Sequence, residues 1–286
     1  MIVGKTAYHT LYDLALTVSK VVDLVKSNPP EIYEPGEHAN LEVSIINTGS
    51  MPTPPQDIDI SLSPTTWIEH KNASLVLTAS EHVPIGGSHT FAIPFSFRVK
   101  EQCLPLEEPL NTQEILTYHA LLRRVNKSFH RISQQKNLFP IRYPVQLSPF
   151  LGKACISFNE IVTQSLSIQN TTSAIMGKLG PQQRRIFVTF EIPPSPDIKS
   201  SDVELLKIEE SDLQELNKVT TEIDYLAPKS EKNLAVSFRF TNPDLPAHSK
   251  VCLVASLHLG YFNSESKASL DRTRCIQKRT VRLELR

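Results

Sequence analysis

Two ten-residue segments of this chain nearly repeat each other. LEVSIINTGS covers residues 41–50 and QSLSIQNTTS covers residues 164–173. In both, apolar and polar residues alternate, and the run ends in Asn-Thr followed by small polar residues. Strict alternation is typical of a β-strand with one buried face. The repeated segment therefore predicts two similar β-rich parts, in which Val43 and Ile45 correspond to Leu166 and Ile168.

Other segments recur in the same order along the two halves. The matched pairs are residues 57–64 with 184–194, 82–99 with 225–240, 115–125 with 250–261, and 142–148 with 278–286. Each match is short, but the preserved order predicts a tandem duplication. The boundary then falls near residues 148–154, which divides the chain into domains 1–149 and 150–286.

Proline is placed where strands would end. The chain has 21 Pro and 9 Gly, and most prolines lie between apolar runs. Because proline is excluded from helix interiors and central strands, the pattern favours many short strands joined by turns. With about seven strands in each half, we expect an all-β protein of two tandem immunoglobulin-like β-sandwich domains. Prolines within residues 51–56 would protect a sheet edge, since they cannot donate to an incoming strand.

Two long connections interrupt the repeat. In the second half, residues 195–219 form an insertion in which Ser201 and Ser211 have capping-box spacing to Glu204 and Gln214. This spacing predicts a short helix, whereas VELLKIEE within the same segment is equally compatible with a strand. In the first half, the proline-broken residues 100–114 predict a surface loop.

Bulk properties exclude several classes of function. The 30 basic and 30 acidic residues balance, so the chain lacks the basic footprint of a nucleic-acid-binding protein. The chain has no run of about 20 apolar residues, so no membrane-spanning helix is predicted. Residues 1–16 lack the pattern of a signal peptide. The four cysteines, which are Cys103, Cys155, Cys252 and Cys275, form no C-x-x-C pair. Free thiols are the favoured interpretation, with a bridge between the last two as the alternative.

The N-terminal part resembles the bacterial cell-adhesion-related domain family known as CARDB. The resemblance lies in DLALTVSKVVD (residues 13–23) followed by residues 32–62, in which Pro35-Gly36-Glu37 and Asn47-Thr48-Gly49 stand where the family has a turn and a strand end. The second copy keeps Asn-Thr-Thr but lacks the Pro-Gly-Glu turn. The resemblance implies tandem immunoglobulin-like modules of adhesive, spacer or accessory type, a secreted or cell-surface location, and no catalytic residues.

Polar side chains that suggest a site lack the partners that a site needs. His82 and His89 flank a turn, but zinc needs three or four ligands and the spacing supplies no third. Asp57 and Asp59 share one strand face, but calcium prefers six or more oxygens. His258 lies on an apolar strand near Cys252, where a structural role is expected. We therefore predict no catalytic, cofactor-binding or metal site.

Three further features have structural explanations. Residues 85–88, IGGS, fit a turn before a strand rather than a phosphate loop. The basic clusters at residues 121–131 and 272–282 fit charged edge strands, with an acidic partner as the alternative. Trp67 is expected to fill a sandwich core or its end. Sequons at Asn72, Asn126 and Asn170 matter only in a secreted chain.

The sequence thus predicts a non-catalytic interaction or structural module rather than an enzyme. In this interpretation a rigid spacer or adhesion-like domain pair of a larger protein presents loops or edge strands to a protein partner. The alternative is a carbohydrate- or ligand-binding accessory module of an enzyme, whose mark would be an aromatic-lined groove. A hydrolase with an unrecognised site is the third hypothesis, and its mark would be a pocket with coupled titratable groups.

Overall fold

A computed structural model shows the architecture of the chain. It describes residues 14–21, 31–48, 52, 58–62, 66–70, 76–78, 84–99, 104–123, 129–180, 184–195, 198–206, 213–215, 217–261, 270 and 273–286. The described residues form nineteen β-strands and one short 3-10 turn, with no α-helix among them. The chain divides into two compact units. Unit 1 comprises Met1–Asp23, Ile32–Gln102 and Asn111–Arg142, and unit 2 comprises Leu24–Glu31, Cys103–Leu110 and Tyr143–Arg286.

Unit 1 consists of two four-stranded sheets. Its strands are β1 (Leu14–Val21), β2 (His38–Asn47), β3 (Ile58–Leu62), β4 (Ile68–His70), β5 (Val76–Thr78), β6 (Ser88–Val99), β7 (Asn111–Arg123) and β8 (Phe129–Arg142). One sheet has the order β1-β2-β6-β4 and the other β5-β3-β7-β8. All pairings are antiparallel. This is the strand division of an immunoglobulin-like sandwich.

The predicted Pro-Gly-Glu turn is confirmed. The Glu37 amide donates to the Glu34 carbonyl at 3.0 Å, with Pro35 and Gly36 at the centre. Gly36 has a φ of +82°, which a type II turn requires at its third position and which glycine adopts without strain. The Glu37 carboxylate also accepts from the Glu34 amide at 2.9 Å. The turn therefore leads the chain directly into β2.

Unit 2 has a five-stranded and a six-stranded sheet. Its strands are β9 (Val145–Leu147), β10 (Leu151–Gly152), β11 (Cys155–Ile156), β12 (Val162–Asn170), β13 (Arg184–Glu191), β14 (Val203–Leu206), β15 (Leu213–Glu215), β16 (Lys218–Glu222), β17 (Glu231–Phe240), β18 (Lys250–Tyr261) and β19 (Arg274–Leu285). The first sheet runs β10-β12-β17-β14, with β9 also on β12. The second runs β11-β19-β18-β13-β16-β15.

The two units share one strand order. In unit 1 the chain leaves β3 for β4, which pairs with β6, and then returns to β5 beside β3. In unit 2 it leaves β13 for β14, which pairs with β17, and then returns to β15 and β16 on the β13 side. The all-β, immunoglobulin-like fold class predicted from alternation and proline placement is confirmed.

Alternation predicts the buried face of β12 correctly. Leu166 and Ile168 are 1% and 0% exposed, and they pack with residues of the opposite sheet such as Val188 and Phe190. In unit 1, Ile45 is fully buried. Burying one such side chain contributes about 1.5–3 kcal/mol, so these inward faces hold each sandwich together.

The insertion in unit 2 is a strand where it is described. Ser200–Asp202 form a 3-10 turn and Val203–Leu206 form β14. Val203 and Leu205 are 3% and 1% exposed, because alternate residues of a strand reach the sandwich core. Of the two interpretations of residues 195–219, the strand holds for residues 203–206 and again for Leu213–Glu215. The expected capping pair Ser201 and Glu204 therefore caps no α-helix.

The units also differ from the sequence-based domains 1–149 and 150–286. Residues 142–148, which were matched to the end of the second repeat, instead contain β9, and β9 pairs with β12 of unit 2. The last strand of unit 1 is β8, which pairs with β7. Residues 142–148 and 278–286 carry a similar short alternating pattern, but β9 pairs with β12 of the five-stranded sheet, whereas β19 pairs with β18 of the six-stranded sheet.

Candidate functional site

One edge of unit 2 is occupied by a segment from the middle of the chain. Residues 104–110, which we call the strap, run parallel to β19 and form a bridge between Leu106 and Gln277. The Leu106 amide donates to the Ile276 carbonyl at 3.1 Å, and the Lys278 amide donates to the Leu106 carbonyl at 2.8 Å. Leu104 and Leu106 pack against the core of unit 2. The prediction of a surface loop over residues 100–114 holds for the strap, in which no residue is buried, whereas residues 111–114 belong to β7.

Arg279 holds the strap beside β19. Its side chain is 9% exposed. Nη1 donates to the Glu107 carbonyl at 2.8 Å and to Glu108 Oε1 at 2.7 Å, and Nε donates to the Leu147 carbonyl at 3.2 Å. The hydrogen bond and charge of Arg279 lower the pKa of the Glu108 carboxyl. Because Arg279 is pre-organised by buried contacts, it offers a fixed fork for a carboxylate.

Gln277 supplies a second connection at the same edge. Its side chain is 3% exposed. Oε1 accepts from the Leu147 amide at 2.7 Å, and Nε2 donates to the Leu147 carbonyl at 3.3 Å. The carboxamide therefore pairs with β9 in the manner of a neighbouring strand. Together, Gln277 and Arg279 join β9 of one sheet to β19 of the other.

A shallow apolar cleft lies next to the strap. It encloses about 220 Å³, including space open to solvent. Its lining residues are Leu106, Pro109, Leu110, Tyr143, Val145, Gln146, Ile276 and Gln277. Small-molecule sites usually enclose about 300–1,000 Å³. Most of this volume is open solvent, and the enclosed part holds about one water molecule, so the cleft is far smaller than such a site.

Part of the β19 edge carries no described partner. The amides of Lys278, Glu284 and Arg286 all face this edge, where they donate to Leu106, Ala154 and Ile156. Since amide direction alternates along a strand, Thr280 and Arg282 face the same way. The strap covers the start of the edge and β11 covers its end. Among the described residues, no backbone group pairs with Thr280 or Arg282 on this side.

The predicted basic cluster at residues 272–282 maps onto this edge. Arg274, Lys278 and Arg282 are exposed on β19, whereas Arg279 is buried. The edge interpretation of the cluster agrees with this placement. The buried role of Arg279 was missed, because it depends on a strap about 170 residues earlier. The other cluster, residues 121–131, spans the end of β7 and the start of β8, and its side chains lie outside the described set.

The structure places His258 opposite Cys275. The two residues pair across β18 and β19, next to a register shift at Leu257/His258. Burial and the nearby Lys218 and Lys278 lower the pKa of His258 to about 4. Burial raises the pKa of the Cys275 thiol. Both groups are therefore neutral near pH 7, unlike the thiolate–imidazolium pair of a cysteine nucleophile.

The remaining sequence candidates are scattered. His82 and Asp57 lie outside the described residues, while His89 lies on β6 and Asp59 on β3. Trp67 is half-buried. No group of three metal-ligating side chains occurs in the ranges that the structure describes. Within those ranges, no helix has the length and hydropathy to cross a membrane.

Two other sequence features are now placed. Residues 84–87 form a turn directly before β6, in which the Gly87 amide donates to the Pro84 carbonyl at 2.9 Å. The turn interpretation of the IGGS segment is confirmed. Cys155, Cys252 and Cys275 are free and partly buried, as the thiol interpretation expects. Cys103 lies outside the described residues.

Comparison with known proteins locates the fold. Residues 15–143 match the profile of a family described as a domain of unknown function (DUF7932). No curated protein matches the chain. A solved structure named BspA_C_mut is 9% identical, with 94% of this chain and 98% of that chain aligned and a TM-score of 0.51.

Two further solved structures are similar at a lower level. The C-terminal domain of the AgI/II polypeptide BspA of Streptococcus agalactiae is 10% identical over 94% of this chain and 100% of that chain, with a TM-score of 0.49. A Salmonella alpha-2-macroglobulin is 11% identical over 97% of this chain, with a TM-score of 0.32, and the chain spans 16% of its length. At these identities the likeness to BspA_C_mut shows a shared β-sandwich fold.

Proposed function

We propose that this chain is a non-catalytic interaction module whose sheet edges receive a protein partner. The observation that carries the proposal is the edge of β19. It already takes an extended segment through backbone hydrogen bonds of 2.8 and 3.1 Å to Leu106. Strand addition of this kind is an established mode of peptide recognition. The exposed Arg274, Lys278 and Arg282 add a positive rim that favours an acidic partner.

The shared strand order supports the tandem organisation that the proposal includes. Both units cross between sheets at the same step, after β3 and after β13. We include in the proposal the descent of the two units from one duplicated, CARDB-like sandwich. In such an arrangement the module serves as an adhesion-like or spacer element of a larger protein.

The neutral state of His258 and Cys275 supports a non-catalytic role. A hydrolase built on this pair would need the Cys275 thiolate near neutral pH, and burial disfavours that form by raising the thiol pKa, while the lowered pKa of His258 makes its imidazole a weak base. A glycan-binding accessory module would need an aromatic platform. Phe158 and Tyr225 are exposed aromatic residues at 46% and 48%, so this alternative is included in the test.

The test compares partner binding by two variants at one position. Thr280→Pro removes an amide that faces the open edge, which edge strands tolerate but which blocks strand addition. Thr280→Ala is the matched control, because it keeps the amide. Proteins from the source cells are cross-linked to the chain, identified by mass spectrometry, and their binding is then measured by titration. We expect a saturable partner that binds the wild type and Thr280→Ala but not Thr280→Pro.

Two arms separate the alternatives. Saturable binding on a glycan array, lost when Tyr225 or Phe158 is replaced by Ala, would favour the accessory module. Turnover of ester or peptide substrates that disappears in Cys275→Ser would overturn the non-catalytic proposal. A partner that binds Thr280→Pro as tightly as the wild type would remove the edge from the proposal.

A further inference from the structure

We propose that the outer edge of β19 is a docking site for an extended, acidic segment of a partner protein, and that the strap is the resident segment that this partner displaces. The inference rests on the proposed interaction function and names the chemistry of the partner. Four features meet at this edge. They are the backbone hydrogen bonds to Leu106, the packing of Leu104 and Leu106 against the core, the buried guanidinium of Arg279, and the exposed basic side chains of β19.

The strap shows how a segment fits this edge. In the parallel register, Leu106 lies opposite Gln277. Two residues further along each strand, Glu108 lies opposite Arg279, and their side chains meet at 2.7 Å. This register therefore places the Leu106 side chain against the core and the Glu108 carboxylate, two residues later, against Arg279. A partner segment with an apolar residue followed two positions later by an acidic residue would make the same contacts.

The strap uses only the first part of the edge. It reaches Pro109 directly after Glu108 and joins β7 at Asn111. Among the described residues, the strap makes no backbone hydrogen bond to β19 after Leu106, so it leaves β19 before Thr280 and Arg282. A partner strand that stays extended can continue along the edge and pair with both residues. Arg282 is exposed there, so a further acidic residue in the partner is favoured.

The strap is held by contacts that a competitor can replace. Its bridge has one pair of backbone hydrogen bonds. The Glu108 side chain is 81% exposed, so a carboxylate of another segment can reach Arg279 in its place. The strap competes mainly because it is covalently attached, which gives it an effective concentration in the millimolar range. A longer partner strand gains backbone bonds that the strap lacks.

The experiment uses the full chain and a synthetic peptide with the sequence of residues 104–110 carrying a fluorescent label. In one variant the strap is replaced by a Gly-Ser segment of equal length. We expect saturable binding to this variant, at least tenfold weaker binding to the wild type, and at least tenfold loss when Arg279→Ala is added. A control peptide in which the two glutamates corresponding to Glu107 and Glu108 are replaced by lysine should not bind.

A second variant is used if the protein with the replaced strap does not fold, as judged by the loss of a cooperative unfolding transition. The double substitution Leu106→Ala and Glu108→Ala weakens the strap but leaves the chain intact, and it should bind the peptide more tightly than the wild type does. Equal affinity for both proteins, no saturable binding, or binding that ignores Arg279→Ala would overturn the inference. If the peptide test fails but a partner still binds in a Thr280-dependent way, the displaceable strap is ruled out and the proposed interaction function remains.

Discussion

Asn47 and Asn170 occupy the same position in the two units. Asn47 ends β2 and Asn170 ends β12, and each residue is fully buried. The Asn47 amide donates to the Gly87 carbonyl at 3.0 Å, and the Asn170 amide donates to the Ser230 carbonyl at 2.8 Å. In both units the acceptor closes the turn before the next strand of the same sheet. The repeated Asn-Thr motif therefore marks a structural junction.

Replacing Asn170 should destabilise unit 2 strongly. Its Nδ2 donates to the carbonyls of Ala174 and Ala227 at 2.7 and 2.9 Å, and its Oδ1 accepts from the Thr172 amide and hydroxyl at 2.9 and 2.8 Å. Asn170→Ala removes these buried hydrogen bonds and takes the acceptor from the Thr172 amide, so the free energy of unfolding should fall by about 2–4 kcal/mol. Urea denaturation followed by circular dichroism measures the change. The exposed neighbour Gln169→Ala is the control, and equal effects would contradict this role.

The same burial predicts that the Asn170 sequon stays unmodified. Asn170-Thr171-Thr172 has the acceptor pattern, but both hydrogens of the Asn170 amide are engaged in the buried network. After expression in a glycosylating secretory pathway, glycopeptide mass spectrometry of the folded protein should show no glycan there. A glycan at Asn170 in protein that unfolds cooperatively would disprove the buried placement. Asn72 and Asn126 lie outside the described residues.

Two turns should respond oppositely to exchange of their central residue. Gly86 and Lys229 hold equivalent positions, with φ of +67° and +53°. Only glycine adopts this region without strain, and other residues lose about 1–2 kcal/mol. Gly86→Lys should therefore destabilise the protein by about 1 kcal/mol through its backbone conformation. Steric overlap does not contribute, because a Cβ at this position would have no atom within 4 Å.

Lys229→Gly should stabilise it by roughly 0.5–1 kcal/mol, reduced by loss of the exposed Nζ bond to the Thr171 carbonyl. Thermal unfolding of both variants gives the comparison. The turn account fails if the two substitutions shift the melting temperature in the same direction.

Protonation of His258 should weaken the fold in mild acid. Its pKa in the folded protein is about 4, below the ordinary 6.5. Because the unfolded chain binds the proton more readily, stability is full above pH 6.5 and falls as the pH drops toward 4. Solvent screening reduces the loss to roughly 1–2 kcal/mol. His258→Gln should flatten urea-derived stability over this range, whereas the exposed His248→Gln should not. If the free energy of unfolding of His258→Gln falls with pH as steeply as that of the wild type, this residue is excluded as the cause.

Local pattern predicted most of what depends on one strand. Alternation in residues 162–170 identifies the buried face that contains Leu166 and Ile168, because side-chain period and burial are properties of a single strand. The turn at Pro35-Gly36 follows equally from the φ preferences of those two residues. These features require no knowledge of distant partners.

Features that depend on contacts between distant strands could not be predicted from the residue pattern of one strand. The placement of the strap, and the connection of β9 to β19, depend on hydrogen bonds between residues 130 or more positions apart. The proximity of His258 and Cys275 depends on a register shift between β18 and β19, at which Ile276 has no partner in β18. Arg279 had no local signal, since it is buried while the basic residues around it on β19, Arg274, Lys278 and Arg282, are exposed. The Leu-Pro-Leu-Glu-Glu sequence of the strap is the one hint that an extended segment docks there.

Amide hydrogen exchange along β19 tests the central claim most directly. Lys278 donates to the strap, Thr280 faces the open edge, and Val281 lies in the ladder with β18. In the wild type we predict slow exchange at Lys278 and Val281 and fast exchange at Thr280. Arg279→Ala should speed exchange at Lys278 at least tenfold and leave Val281 protected, whereas the exposed Arg282→Ala should change neither. Equal protection of Thr280 and Lys278, or no response of Lys278 to Arg279→Ala, would contradict an edge that holds an exchangeable strand.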